Sequence, residues 1–138
     1  MAATLAEIRA GLVANLASVG DAQPYVLDTP PVPCLQIDRV SLIDYDQAYQ
    51  RGLDYWTLIV RGYVGTQFDI AAQVLLDEWI SSTGATSVKA AVESDRTLGG
   101  KVQDLTVRTC SGYGYYDLPN HGRTLGAEWT ILILNTGH

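Results

Sequence analysis

The stretch "ESDRTLGGKVQDL", Glu93 to Leu105, sets two adjacent glycines, Gly99 and Gly100, just ahead of a run with strand character. Glycine loosens a backbone that a strand wants stiff, so the pair needs a reason. A phosphate-binding loop would place Gly-Gly-Lys at the start of a helix, whereas Gly99-Gly100-Lys101 precedes a strand. The remaining reading is a tight turn in which positive φ and close backbone approach let the chain re-enter a sheet.

Working outward, the C-terminal side of this turn carries two strands, "KVQDLTVRTC" (101–110) and "RTLGAEWTILIL" (123–134). Between them "SGYGYYDLPNHG" (111–122) is rich in turn residues and reads as their connection. On the N-terminal side "SVKAAVE" (87–93) reads as one helical turn with Val88 and Val92 facing inward. Before it, Thr66 and Asp69 form a cap for a helix running through Ile70, Val74, Leu75 and Trp79 to a stop at Gly84. "LDYWTLIVRGYV" (53–64) alternates Trp56, Leu58 and Val60 on one face with Tyr55, Thr57, Ile59 and Arg61 on the other, a long strand with one core face and one semi-polar face.

The N-terminal third follows the same grammar. Thr4 with Glu7 makes a capping box, Leu5, Ile8, Leu12, Leu16 and Val19 recur at helical spacing, and Gly20 is the expected stop. The proline cluster "DTPPVPCLQIDRV" breaks any helix. From Cys34 the chain turns strand-like, with Leu35 and Ile37 opposed to Gln36 and Asp38. Asp44 to Gly52 reads as a polar loop bearing tyrosines. No internal repeat or linker is found, so residues 1–138 are expected to form a single domain. Its class is α+β, a mainly antiparallel sheet of long strands with two amphipathic helices on one face.

Composition limits the function. Apolar residues make up 47% of the chain and charged residues 17%, the balance of a folded domain. A formal charge of −6 argues against gripping nucleic acid by its phosphates, although an acidic wall would repel a duplex and let it slide past. The densest apolar run, "WTILIL", has strand length, so no membrane span is expected. The apolar N-terminus carries Glu7 and Arg9 without a basic leading region, which does not match a signal peptide. Cys34 and Cys110 are expected to be free thiols.

No catalytic or metal constellation survives inspection. "GYGYYD" lacks the third glycine of a dinucleotide fingerprint. Asp44 and Asp46 stand like the first ligands of a calcium loop, but Ala48 occupies the third position and no glycine follows. The two cysteines and two histidines have no zinc spacing. Cys110 is expected to pack within its strand, and Ser111 lacks a nucleophile elbow. An enzymatic or ligand-binding alternative would have to use His121 and Asp117. Eight tyrosines stand against one phenylalanine, and Tyr45, Tyr49, Tyr113, Tyr115 and Tyr116 fall in two expected loops. Tyrosine suits half-buried surfaces, which points to an interface.

The order of elements, together with Asp95, Thr97, Leu98, Gly99, Gly100 and Val102 in the pattern D-x-T-L-G-G-x-V, resembles the tail terminator proteins of long-tailed bacteriophages. The resemblance implies a small α+β sandwich related to tail-tube proteins and a structural role without cofactor or catalysis. Copies would form a hexameric ring in the virion neck, assembled in the host cytoplasm. The ring would cap the tail tube, end its growth and join it to the head-completion or connector protein, with DNA passing through the lumen unbound. On that reading Tyr45, Tyr49, Tyr55, Arg61 and Tyr63 supply subunit or tube contacts, and Asp44, Asp46 and Asp54 lie near the lumen. A head-completion or tail-tube subunit of related fold is the structural alternative. The resemblance carries over no role for "CSGYGYYDLPNHG".

Overall fold

A computed structural model describes residues 4–25, 34–44, 53–66, 70–100, 102–118 and 122–136. The capping box forms at the first helix, α1 (Leu5–Leu16): the Glu7 N–H donates to Thr4 Oγ1 at 3.3 Å and the Thr4 N–H donates to Glu7 Oε1 at 3.2 Å. The exchange satisfies two N–H groups that a helix start otherwise leaves open. Ile8, Leu12 and Leu16 are fully buried along one stripe. The helix stops at Leu16 with a right-handed cap at Ala17, so Gly20 is not the left-handed stop the sequence suggests. The Val19 and Gly20 N–H groups both return to the Leu16 carbonyl, closing the helix by local turns.

The described strands form one sheet: β1 (Ala22–Gln23), β2 (Cys34–Asp44), β3 (Leu53–Thr66), β4 (Asp104–Leu118) and β5 (Gly122–Thr136), in the order β1-β2-β3-β5-β4. All pairings are antiparallel except that of the short β1 with β2. With α2 (Ile70–Ile80) and α3 (Val88–Val92) added, the fold is α+β. The register aligns Ile37 with Val60, Val60 with Trp129 and Leu58 with Ile131, so these apolar residues share one face. That face and the three helices close over a single buried cluster. Val88 and Val92 of α3 enter it as their spacing predicts.

Helix α2 departs from expectation. Ala72, Leu76 and Trp79 are its buried residues, while Ile70 and Val74 are 75% and 52% exposed. The cause lies across the sheet at Gly62, where a Cβ would come within 2.8 Å of Leu35, 2.9 Å of Trp79 and 3.0 Å of Trp129. The missing side chain admits the Trp79 ring, which meets Trp129 edge-on with centroids 6.3 Å apart. Seating the largest side chain sets the rotation of the helix, and its i−3 and i−7 neighbours, Leu76 and Ala72, then face the core. Of the expected cap, Asp69 lies outside the described residues and Thr66 closes β3.

The 111–122 run is also not the connection it resembles. Residues 111–118 continue β4, which pairs with β5 from Asp104 opposite Leu134 to Leu118 opposite Gly122. Gly112, at φ 67, lies inside the register shift between Ser111 and Gly114, so its glycine serves a bulge within a strand instead of ending one. β2 differs more mildly: Leu35 and Ile37 face the helices as expected, but Cys34 and Gln36 on the opposite side are buried too.

Candidate interaction surface

The turn that opens the D-x-T-L-G-G-x-V pattern is a self-contained device. α3 runs into a 3-10 turn over Glu93–Asp95, and the Asp95 carboxylate then accepts the Thr97 N–H at 3.2 Å, the Thr97 hydroxyl at 3.1 Å and the Gly99 N–H at 2.9 Å. The Gly100 N–H donates to Thr97 Oγ1 at 3.2 Å, and the Val102 N–H to the Thr97 carbonyl at 3.0 Å. Leu98, Gly99 and Gly100 take φ values of 51, 71 and 88. The left-handed turn therefore falls on the two glycines and on one leucine whose side chain is buried against α1 at Gly11. Hydrogen bonds from the Thr97 and Gly99 N–H groups hold the Asp95 carboxyl below its ordinary value. Each motif residue in this turn thus caps it, bends it or anchors it.

Beside the turn, Arg96 clasps Asp104 through Nε at 2.8 Å and Nη2 at 3.0 Å. Asn15 of α1 donates to the Val92 and Asp95 carbonyls at 3.0 and 3.1 Å. Glu93 reaches forward, accepting Lys89 Nζ at 2.7 Å and the Val107 N–H at 2.9 Å, so it ties α3 to β4. Burial works against the Glu93 charge, but these two donors outweigh it and lower its pKa.

The sheet face turned away from the helices carries a charged and aromatic cluster. Arg61 lies between Glu128 at 3.2 Å and Asp38 at 3.5 Å, with its guanidinium 5.2 Å from the centre of the Tyr116 ring. Tyr116 meets Tyr63 edge-on at 5.7 Å and donates its hydroxyl to the Gly112 carbonyl at 2.6 Å. Burial disfavours the Arg61 charge, but the Tyr63 hydroxyl and the two carboxylates more than restore it. Gly126 makes room beneath: a Cβ there would strike the Gly62 carbonyl and crowd both tyrosine rings. Arg61 and Tyr55 are half-buried, whereas Tyr63 is only 5% exposed and has little surface left for a neighbour.

The other expected site residues scatter. Asp54 is buried at 8% exposure, opposite Asn135, which leaves it little to present to a lumen. Asp44 is the last residue of β2, while Tyr45, Tyr49, Asp46 and His121 lie outside the described residues. Asp117 is exposed near the end of β4. Tyr113, Tyr115 and Tyr116 sit on that strand and not on a loop, with Tyr113 donating to Asp77 of α2 at 3.1 Å. Cys34 and Cys110 are free; burial pushes the Cys34 thiol up to about 11, while Cys110 is exposed and not packed away as its strand position suggests. Among the described residues no group of His, Cys, Asp or Glu is placed to hold a metal, and no helix is long and apolar enough to cross a membrane.

Arg9 escapes sequence reasoning. It is nine-tenths buried on α1 and donates to the carbonyls of Pro24 and Ile37 at 2.6 Å each and of Asp38 at 3.3 Å. The Tyr25 ring lies 4.8 Å from its guanidinium. Its only signal is a charge one position from Ile8 on an otherwise apolar stripe. Comparison with family models and with curated proteins finds no match.

Among the described residues, strand edges that no neighbour covers lie at the two ends of the sheet. β4 is an end strand, exposed from Arg108 to Tyr113, and at the other end β2 runs past the two residues that β1 covers. Leu42, on that uncovered part, is 58% exposed.

Proposed function

We propose that this chain is a ring-forming structural subunit of the tail-terminator type. Copies close into a hexameric ring that caps a tail tube, ends its growth and presents a surface to the head's connector. The observation that supports this most directly is the pair of unlike sheet edges that no strand covers among the described residues, β2 beyond Asp38 and β4 from Arg108 on. A ring needs two different, mutually complementary surfaces on each subunit, and the angle between them decides closure. The motif turn supports the same reading, since its residues serve the architecture of the chain. The role calls for no cofactor and no catalysis, and the net charge of −6 suits a channel that duplex DNA must cross without sticking.

Electron microscopy of assembled particles tests the reading. The expected image is a closed six-fold ring, one layer thick, in the neck of the virion. An open helical stack would move the chain to the tail-tube class, and an isolated monomer in the particle would overturn the proposal.

A further inference from the structure

Strand β4 ends the sheet, so along its outer side no strand takes the backbone groups among the described residues. Such a row of N–H and C=O groups is a template on which another chain can add a strand. In β4 the row is interrupted three times. Glu93, at the end of α3, accepts the Val107 N–H on Oε2 at 2.9 Å. The register with β5 then slips between Val107 and Thr109, and again between Ser111 and Gly114, where Gly112 has its left-handed φ. Each slip bends the strand and spoils the even spacing that an added strand needs.

The two slips are fixed in the backbone, but the first interruption hangs on one side chain. Glu93 Oε1 takes Lys89 Nζ at 2.7 Å, so the carboxylate bridges helix and strand. Only 16% of the Glu93 side chain is exposed, and burying a carboxylate carries a cost. A mere tie between α3 and β4 would not need that charge, because Val92 and Leu105 already meet in the buried cluster. What the carboxylate adds, and an apolar side chain cannot, is an acceptor for an edge N–H.

We propose that Glu93 guards the edge of β4: its carboxylate occupies the Val107 N–H and keeps a strand of another copy from adding there. The guard does not depend on the ring reading. Where copies meet at β4, the contact falls to side chains from Arg108 onward and not to a shared backbone ladder.

Hydrogen exchange and sedimentation of the full chain test it. Glu93→Ala, or Glu93→Met where the packing of the stem must be kept, leaves the Val107 N–H bare. In dilute solution that amide should exchange roughly tenfold faster or more. At high concentration the variant should form species that the wild type does not form, with the Val107 amide protected again inside them. Glu93→Gln keeps an acceptor, and Lys89→Met keeps the carboxylate while removing the ion pair. Both should match the wild type in association, even where their melting falls. Unchanged Val107 exchange in the alanine and methionine variants overturns the guard. So does association of Lys89→Met as strong as theirs, or an assembly in which their Val107 amide exchanges freely. None of these results bears on the six-fold ring expected in particles.

Discussion

Gly99 and Gly100 show how one position can carry a cost without a clash. Both have left-handed φ, and a Cβ at either would meet nothing within 4 Å. Valine at either position should therefore cost about 1–2 kcal/mol through backbone strain alone, with alanine milder. Denaturant melts that are unchanged for both valine variants would remove the turn argument. Gly62 fails for the opposite reason: its φ is ordinary but its space is taken, so Gly62→Ala should cost about 1–3 kcal/mol through overpacking. Asp95 brings a pH dependence. Its carboxyl is held below its ordinary value, so the stability it adds is complete above the unfolded pKa of about 4 and is lost as pH falls through the folded value. Glu93 acts with the same sign. Acid titration of the denaturant midpoint should show less loss below about pH 4 in Asp95→Asn than in the wild type. Arg9→Ala strands three carbonyls and should cost on the order of 2–3 kcal/mol, with Arg9→Lys recovering only part because an ammonium cannot span the fork.

Helix α2 separates core from surface along a single element. Truncating Leu76 or Trp79 to alanine removes fully buried volume and should cost about 2–5 kcal/mol in a thermal or denaturant melt. Ile70→Ser and Val74→Ser, on the exposed face, should stay within about 0.5 kcal/mol of wild type. Equal losses at all four positions would mean that the helix turns a different face to the sheet. A helix start such as that of α1 is legible in sequence because its capping box joins residues only three apart. The rotation of α2 is not legible, because Ile70, Val74, Leu75 and Trp79 fit an apolar stripe as well as Ala72, Leu76 and Trp79 do. The decision belongs to Gly62 on β3, a residue outside the helix whose missing side chain leaves space that the Trp79 ring enters beside Leu35 and Trp129.

At the scale of the molecule, the proposed ring would take subunit or tube contacts from the tyrosine-bearing 44–52 segment. Replacing Tyr45 and Tyr49 together by serine should leave the monomer's melting unchanged and weaken ring formation or tail joining, read by sedimentation and by particle assembly. His121→Ala and Asp117→Asn should leave biological activity substantially intact; a loss of function without an assembly defect would favour the enzymatic alternative. The α+β class, the capped start of α1, the inward Val88 and Val92 and the left-handed glycine pair were determined by the sequence alone, because each rests on contacts a few residues apart or on strand periodicity. Tertiary structure decided the rest: the burial of Arg9, whose acceptor carbonyls lie up to 29 positions away in the chain, the seating of α2, and the extension of β4 through Leu118. Turn-rich residues such as Gly112 and Gly114 bend a lone chain, but paired against β5 they become a bulge, since ladder hydrogen bonds and the Tyr63–Tyr116 contact stabilise the extended form. Local chemistry sets what a segment prefers, and only the partner across the sheet sets what it adopts.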